Sequence, residues 1–300
     1  MLKTLLKRIA VALALSLFVT AGVADAKAAP VAHPALWAVA DADTTIYLFG
    51  TIHLLPDQFQ WRTPAFREAE AKSQGLVIET IVDPAHPQPM MDALMHLGFA
   101  PGQLPPLRDR VPPAKRQALL DAIAKSGIPE KQFNQMKTWT AAFQLLQVQF
   151  REMGLIGTEG PETVLRQDFA ALGKPVDQLE TNADQLGFFD RLPEASQRQL
   201  LEGAIEPIAA ARQEFDGMFS AWSRADVKGV AKSFNEDLSG APDVQKALIH
   251  QRNANWSKWI EQRMGQPGTI MVAVGAGHLA GKDSVIDLLK QDGYRVRRVQ

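Results

Sequence analysis

Two short segments of this chain read alike, and both fall where a buried strand should end. Gly50-Thr51-Ile52-His53-Leu54 follows the β-branched and aromatic run Thr44–Phe49, and Gly275-Ala276-Gly277-His278-Leu279 follows the apolar run Thr269–Val274. Continuous apolar runs of this length, closed by glycine, fit strands covered on both faces, as in sheets flanked by helices. Each G-x-x-H-L segment precedes a helical pattern that leads to another strand. A single G-x-x-H arises often by chance; two in the same structural setting point to an α/β chain with one central sheet.

The remaining pattern agrees. Thr63 and Pro64 open a helix reaching about Lys72, with Thr63 as N-cap and Pro64 at the first helical position. Leu76-Val77-Ile78 is a short strand ending at Glu79, and Pro175–Leu179 is another ending at Glu180. Between them, residues 84–173 show only helical periodicity broken by Pro and Gly. Phe133, Met136, Trp139, Phe143, Leu146, Phe150 and Met153 recur three or four apart, the signature of a buried helix face. Thr158–Leu172 reads as a further helix, residues 193–265 as helical again, Asp283–Lys290 as a helix and Tyr294–Val299 as a last strand. With no low-complexity linker in residues 27–300, the expectation is one domain: a mixed sheet with G-x-x-H motifs at strand ends, surrounded by helices, with a large helical insertion over 84–173.

The first 26 residues read as an address. Lys3, Lys7 and Arg8 precede the apolar run Ile9–Val19, and Ala24-Asp25-Ala26 offers small residues at a cleavage site. This layout predicts a signal peptide cut after Ala26 and a periplasmic or secreted protein. No later apolar run approaches the roughly 18 residues of a membrane span. The chain has no cysteine, which excludes disulfides, thiolate metal sites and a cysteine nucleophile. Its 32 basic and 33 acidic residues argue against a broad nucleic-acid-binding face.

Four expected strand ends carry a side chain able to bind a metal or move a proton: His53, Glu79, Glu180 and His278. In open α/β sheets, ligands bind beyond the carboxyl ends of the strands, so parallel strands would bring these four together. Two imidazoles with carboxylate suit a divalent first-row metal, which would lower the pKa of bound water. A carboxylate outside the coordination shell would then move the proton. Arg252 and Asn253, late in the second helical region, could clamp a carboxylate or stabilise an oxyanion. His33, His86, His96 and His250 lack a comparable setting. Arg295, Arg297 and Arg298 alternate along the last strand as a solvated edge would.

As a set these motifs resemble the TraB/GumN family, which includes the Tiki-type Wnt-cleaving metalloproteases. The matching pieces are Gly50–His53, the strand end at Glu79, Gly173–Thr181 with Gln185 just after, the Arg252-Asn253 pair, and Gly275–Gly281 followed by the Gly293-Tyr294 turn. The resemblance spans roughly residues 35–300. It implies an α/β fold related to erythromycin-esterase and haem-binding ChaN-like proteins, and a metal-dependent hydrolase, most concretely a peptidase using manganese or cobalt, with zinc or iron as alternatives. It further implies that His53, His278, Glu79 and Glu180 form the site. The expectation is thus an exported metallopeptidase-like enzyme: His53 and His278 as metal ligands, one of Glu79 and Glu180 as a further ligand and the other as general base, Arg252 and Asn253 on the substrate. The competing expectations are a haem- or metal-binding protein without turnover and an interaction protein with a vestigial site.

Overall fold

The computed structural model describes residues 32–56, 59–156, 160–234 and 242–300. The expected signal peptide lies outside them. Six strands form one sheet: β1 (Leu36–Ala40), β2 (Thr44–Thr51), β4 (Leu76–Ile78), β6 (Val176–Gln178), β7 (Gly268–Gly275) and β8 (Val296–Arg298), in spatial order β6-β4-β7-β2-β1-β8. β3 (Leu55–Pro56) and β5 (Leu155–Ile156) pair separately as a two-residue ribbon. β2, β7, β4 and β6 run parallel, whereas β1 is antiparallel to both β2 and β8. The sheet is therefore mixed, and its parallel half carries all four expected site positions.

β1 has no counterpart in the sequence reading. Leu-Trp-Ala-Val-Ala is only five residues long, and Asp41 then caps the turn by accepting from the Thr44 amide at 2.8 Å. The two-residue strands β3 and β5 have no counterpart there either; the remaining strands and helices match their expected places within a few residues. The helix expected over Thr158–Leu172 begins at Pro161, with residues 157–159 outside the described set. The last helix begins at Val285, because Ser284 caps it and Asp283 takes a left-handed φ of 56°.

Alternation along the strands sorts the core into two layers. Ile46, Leu48, Val272 and Val274 face one side, where they meet Trp256, Ile260 and Met264 of the helix Gln251–Met264 and Val285, Ile286 and Leu289 of the helix Val285–Gln291. Tyr47, Phe49, Met271 and Ala273 face the other, toward Phe66 and the large helical set that links β4 to β7. The stripe at Phe133–Met153 is core as expected: Trp139, Leu146 and Phe150 are buried within the helix Thr138–Glu152.

Among the described residues no helix is long and apolar enough to cross a membrane. His33, His86 and His96 are exposed, and Arg297 and Arg298 lie on the outer edge strand.

Candidate functional site around Arg252

The carboxyl ends of β2, β7, β4 and β6 do converge. Register sets the first part of the geometry: Thr51 opposes Gly275, and the Glu180 amide donates to the Glu79 carbonyl at 2.9 Å, so the two glutamates leave the sheet side by side. Thr181 then starts the helix Asn182–Asp190 through a reciprocal capping box with Asp184, which fixes Glu180 at the junction. Gln185 of that helix donates to Glu79 Oε2 at 3.3 Å.

Arg252 occupies the centre and is fully buried. Its Nε donates to both oxygens of Glu180 at 2.9 and 3.1 Å. Nη2 donates to Glu79 Oε2 at 2.6 Å and Glu180 Oε2 at 2.9 Å, and Nη1 donates to His278 Nε2 at 3.0 Å. The guanidinium also lies over the Trp256 ring at 4.7 Å and the Phe188 ring at 5.3 Å. Trp256 Nε1 completes the Glu180 shell at 3.0 Å, and the Gly275 amide donates to Glu79 Oε1 at 2.6 Å.

This arrangement dictates the tautomer of His278. Arg252 has only hydrogens to give, so Nε2 accepts and the ring proton sits on Nδ1, which donates to Asn253 Oδ1 at 2.7 Å. Asn253 in turn donates to the Asp283 carbonyl at 2.8 Å. Burial and the adjacent Arg252 charge hold the His278 pKa down to about 3. Burial would raise that of Glu79, yet Arg252, the neighbouring histidines and the Gly275 amide hold it at about 2. Burial pushes Glu180 upward, against the pull of Arg252.

The glycines of the two G-x-x-H motifs act through close approach. A Cβ at Gly275 would sit 3.1 Å from Glu79 Oε1, and one at Gly50 3.1 Å from the Ala276 Cα. Gly277 makes room for Phe234, whose ring would lie 2.7 Å from an added Cβ.

His53 stands apart from the hydrogen-bonded cluster but within its field. Its side chain keeps 18% exposure, and Nδ1 donates to Glu162 Oε1 at 2.8 Å. Glu162 also accepts from the Thr51 hydroxyl. Among the described residues, His53 Nε2 and Glu162 Oε2 are buried without a partner. Burial alone would lower the His53 pKa, but the Glu162 charge and hydrogen bond, with Glu79 behind them, raise it above imidazole's ordinary value. Glu162 was missed by sequence reasoning. It lies in the first turn of the helix Pro161–Ala171, where an acidic residue needs no special explanation; only the adjoining Gly160-Pro161 pair marks the spot.

The donor set does not match the expected four-residue metal site as arranged. Both nitrogens of His278 are engaged, and Glu79 and Glu180 are turned onto a cation the chain itself supplies. Among the described residues no three histidine, aspartate or glutamate side chains are grouped to hold a metal ion. Of the four, His53 alone has a side-chain nitrogen or oxygen with no hydrogen bond among the described residues.

A mixed α/β sheet with a buried Arg–Glu–Glu–His cluster and a second histidine at its strand ends defines the class. This chain belongs to the TraB/PrgY/gumN family, whose profile matches residues 35–298. It is similar to the uncharacterized protein YbaP of Escherichia coli K12 and to its Shigella flexneri counterpart, each 28% identical over 188 residues, covering 61% of this chain and 68% of the relative. No solved structure matches it.

Proposed function

We propose that the protein is an exported hydrolase, acting on peptide bonds, in which His53 is the general base. The observation that supports this most is the Nε2 of His53, buried next to a charged cluster and lacking any partner among the described residues. A water molecule donating to that nitrogen gives up its proton as its oxygen attacks the scissile carbonyl. The imidazolium then returns the proton to the leaving amine, so one histidine serves both halves of the reaction.

Arg252 has five N–H groups. Four are spent on Glu180, Glu79 and His278. The remaining Nη1 hydrogen is the donor offered to a developing oxyanion. Glu79, Glu180, His278 and Asn253 act through Arg252: they fix its plane and its charge. No step is routed through a metal, because the cluster's carboxylates already hold a guanidinium.

The test is turnover of a peptide library by the purified chain beginning at Lys27, wild type beside His53→Ala. Loss of cleavage with an unchanged Tm supports the reading. No cleavage by wild type, with or without added manganese, cobalt, zinc or iron, overturns it. The second reading, a metal- or haem-binding protein without turnover, draws on the same free nitrogen. One metal per chain lost in His53→Ala, or a Soret band on haem addition, with no hydrolysis, would favour it.

A further inference from the structure

The Thr51–Glu162–His53 chain links two elements far apart in sequence. Thr51 and His53 belong to the turn that leaves β2, whereas Glu162 is the second residue of the helix Pro161–Ala171. Three features bring that helix start onto the turn. Pro161 sits at the first helical position, where its missing N–H costs no hydrogen bond. Gly160 packs so tightly that an added Cβ would lie 2.1 Å from the His53 carbonyl oxygen. The first helical turn, with its unpaired amides, is a position that acidic residues such as Glu162 favour.

We infer that Glu162 is a positioning residue: it holds His53 in the Nδ1–H tautomer and so leaves the Nε2 lone pair open, with the Thr51 hydroxyl donating to the same carboxylate oxygen, Oε1, that accepts from His53. An ionised carboxylate only accepts, so the 2.8 Å contact to Nδ1 requires the proton on that nitrogen. The role of Glu162 rests on the hydrolase reading for its consequence, but not for its geometry. His278 reaches the same tautomer by a different route, through Asn253, and its Nε2 is consumed by Arg252. The two G-x-x-H histidines thus share a protonation pattern and differ in what remains free.

The experiment is two-bond 15N–1H correlation on histidine-labelled protein at a pH where His53 is neutral. Wild type should show Nδ1–H at His53. Glu162→Met, which keeps the length and removes the acceptor, should shift His53 toward Nε2–H, and Glu162→Gln, which retains a carbonyl, should restore part of the Nδ1–H form. Should Glu162→Met not fold, Glu162→Gln and Thr51→Val carry the comparison: each should lower the Nδ1–H population without changing the His278 signals. A wild-type Nε2–H tautomer, or a His53 tautomer indifferent to all three substitutions, overturns the inference. If peptides are cleaved, Glu162→Met should lower kcat by about 10²-fold with little change in KM. If nothing is cleaved, the tautomer result still stands or falls alone.

Discussion

Arg252 donates through Nη1 to Nε2 of His278 at 3.0 Å, and the acceptor is therefore a neutral imidazole buried beside a guanidinium. Positive charge at this strand end comes from the helix Gln251–Met264, not from the histidine of the motif. Glu79 and Glu180 are ionic partners of that one side chain, at 2.6 and 2.9 Å. Three strand ends and one helix thus depend on a single buried cation.

Arg252→Met should destabilise the fold by about 3–5 kcal/mol, since it strands two buried carboxylates without a counter-charge. Arg252→Lys should recover only part of this, because a point charge cannot fork between both glutamates and also reach His278. Thermal and urea unfolding of the three proteins would check the order; equal stability of wild type and Arg252→Met would mean that the carboxylates are protonated or solvated.

Stability should fall as the pH drops from 6.5 toward 3. The unfolded chain protonates His278 at its ordinary value of 6.5, whereas the folded site resists until about 3. Between these values the unfolded state binds the extra proton, and stability is lost at a limiting slope of about 1.4 kcal/mol per pH unit. Glu79, depressed from 4.5 to about 2, adds a second loss below 4.5. His278→Gln should flatten the upper part of the curve, and Tm measured from pH 7 to pH 4 would show whether it does.

Hydrolysis should have an acid limb whose midpoint lies above 6.5, because Glu162 and Glu79 outweigh burial and favour the protonated His53. The base works only when neutral, so activity rises with pH through that midpoint. A kcat/KM profile with its midpoint well below 6.5 would assign the base to another group.

Gly160→Ala should damage the site, and Gly217→Ala should not. Gly160 has an extended backbone with φ −63° and ψ 143°, open to any residue, so its cost is steric alone: the new Cβ would overlap the His53 carbonyl oxygen. Overpacking of this kind costs about 1–3 kcal/mol or forces the turn to move. Gly217, exposed within the helix Ile208–Ser223, has open space around it, and alanine there should stabilise by about 0.5–1 kcal/mol. Paired Tm measurements check the two stability shifts, and the tautomer of His53 in Gly160→Ala checks the damage to the site.

The sequence carried the four strand-end residues because His53, Glu79 and His278 each close an apolar run and Glu180 closes the short strand before a capped helix, local signals that parallel topology turns into convergence. His53, Glu79, Glu180 and His278 needed no knowledge of the helices to be found. What they bind to each other was not legible. Arg252 was seen as a substrate clamp, and only the fold reveals that its hydrogens are largely spent on Glu79, Glu180 and His278. Glu162 was invisible for a different reason: its partner His53 lies 109 positions away, and a glutamate at a helix start already has a local use. β1 escaped because it is only five residues long and one of its two partners, the three-residue β8, lies at the far end of the sequence.

β7 lies between β2 and β4 in the sheet but follows both by some two hundred residues in the chain. The middle of the sheet's parallel half is therefore translated late. Until Gly268–Gly275 emerges, β2 and β4 have no common neighbour, the Glu79 carboxylate lacks its Gly275 amide, and the two halves of the cluster remain unjoined. A nascent chain stopped at Met264 would hold most of its helices and none of its keystone. Closure of the sheet and assembly of the site are, for this chain, one late event rather than two.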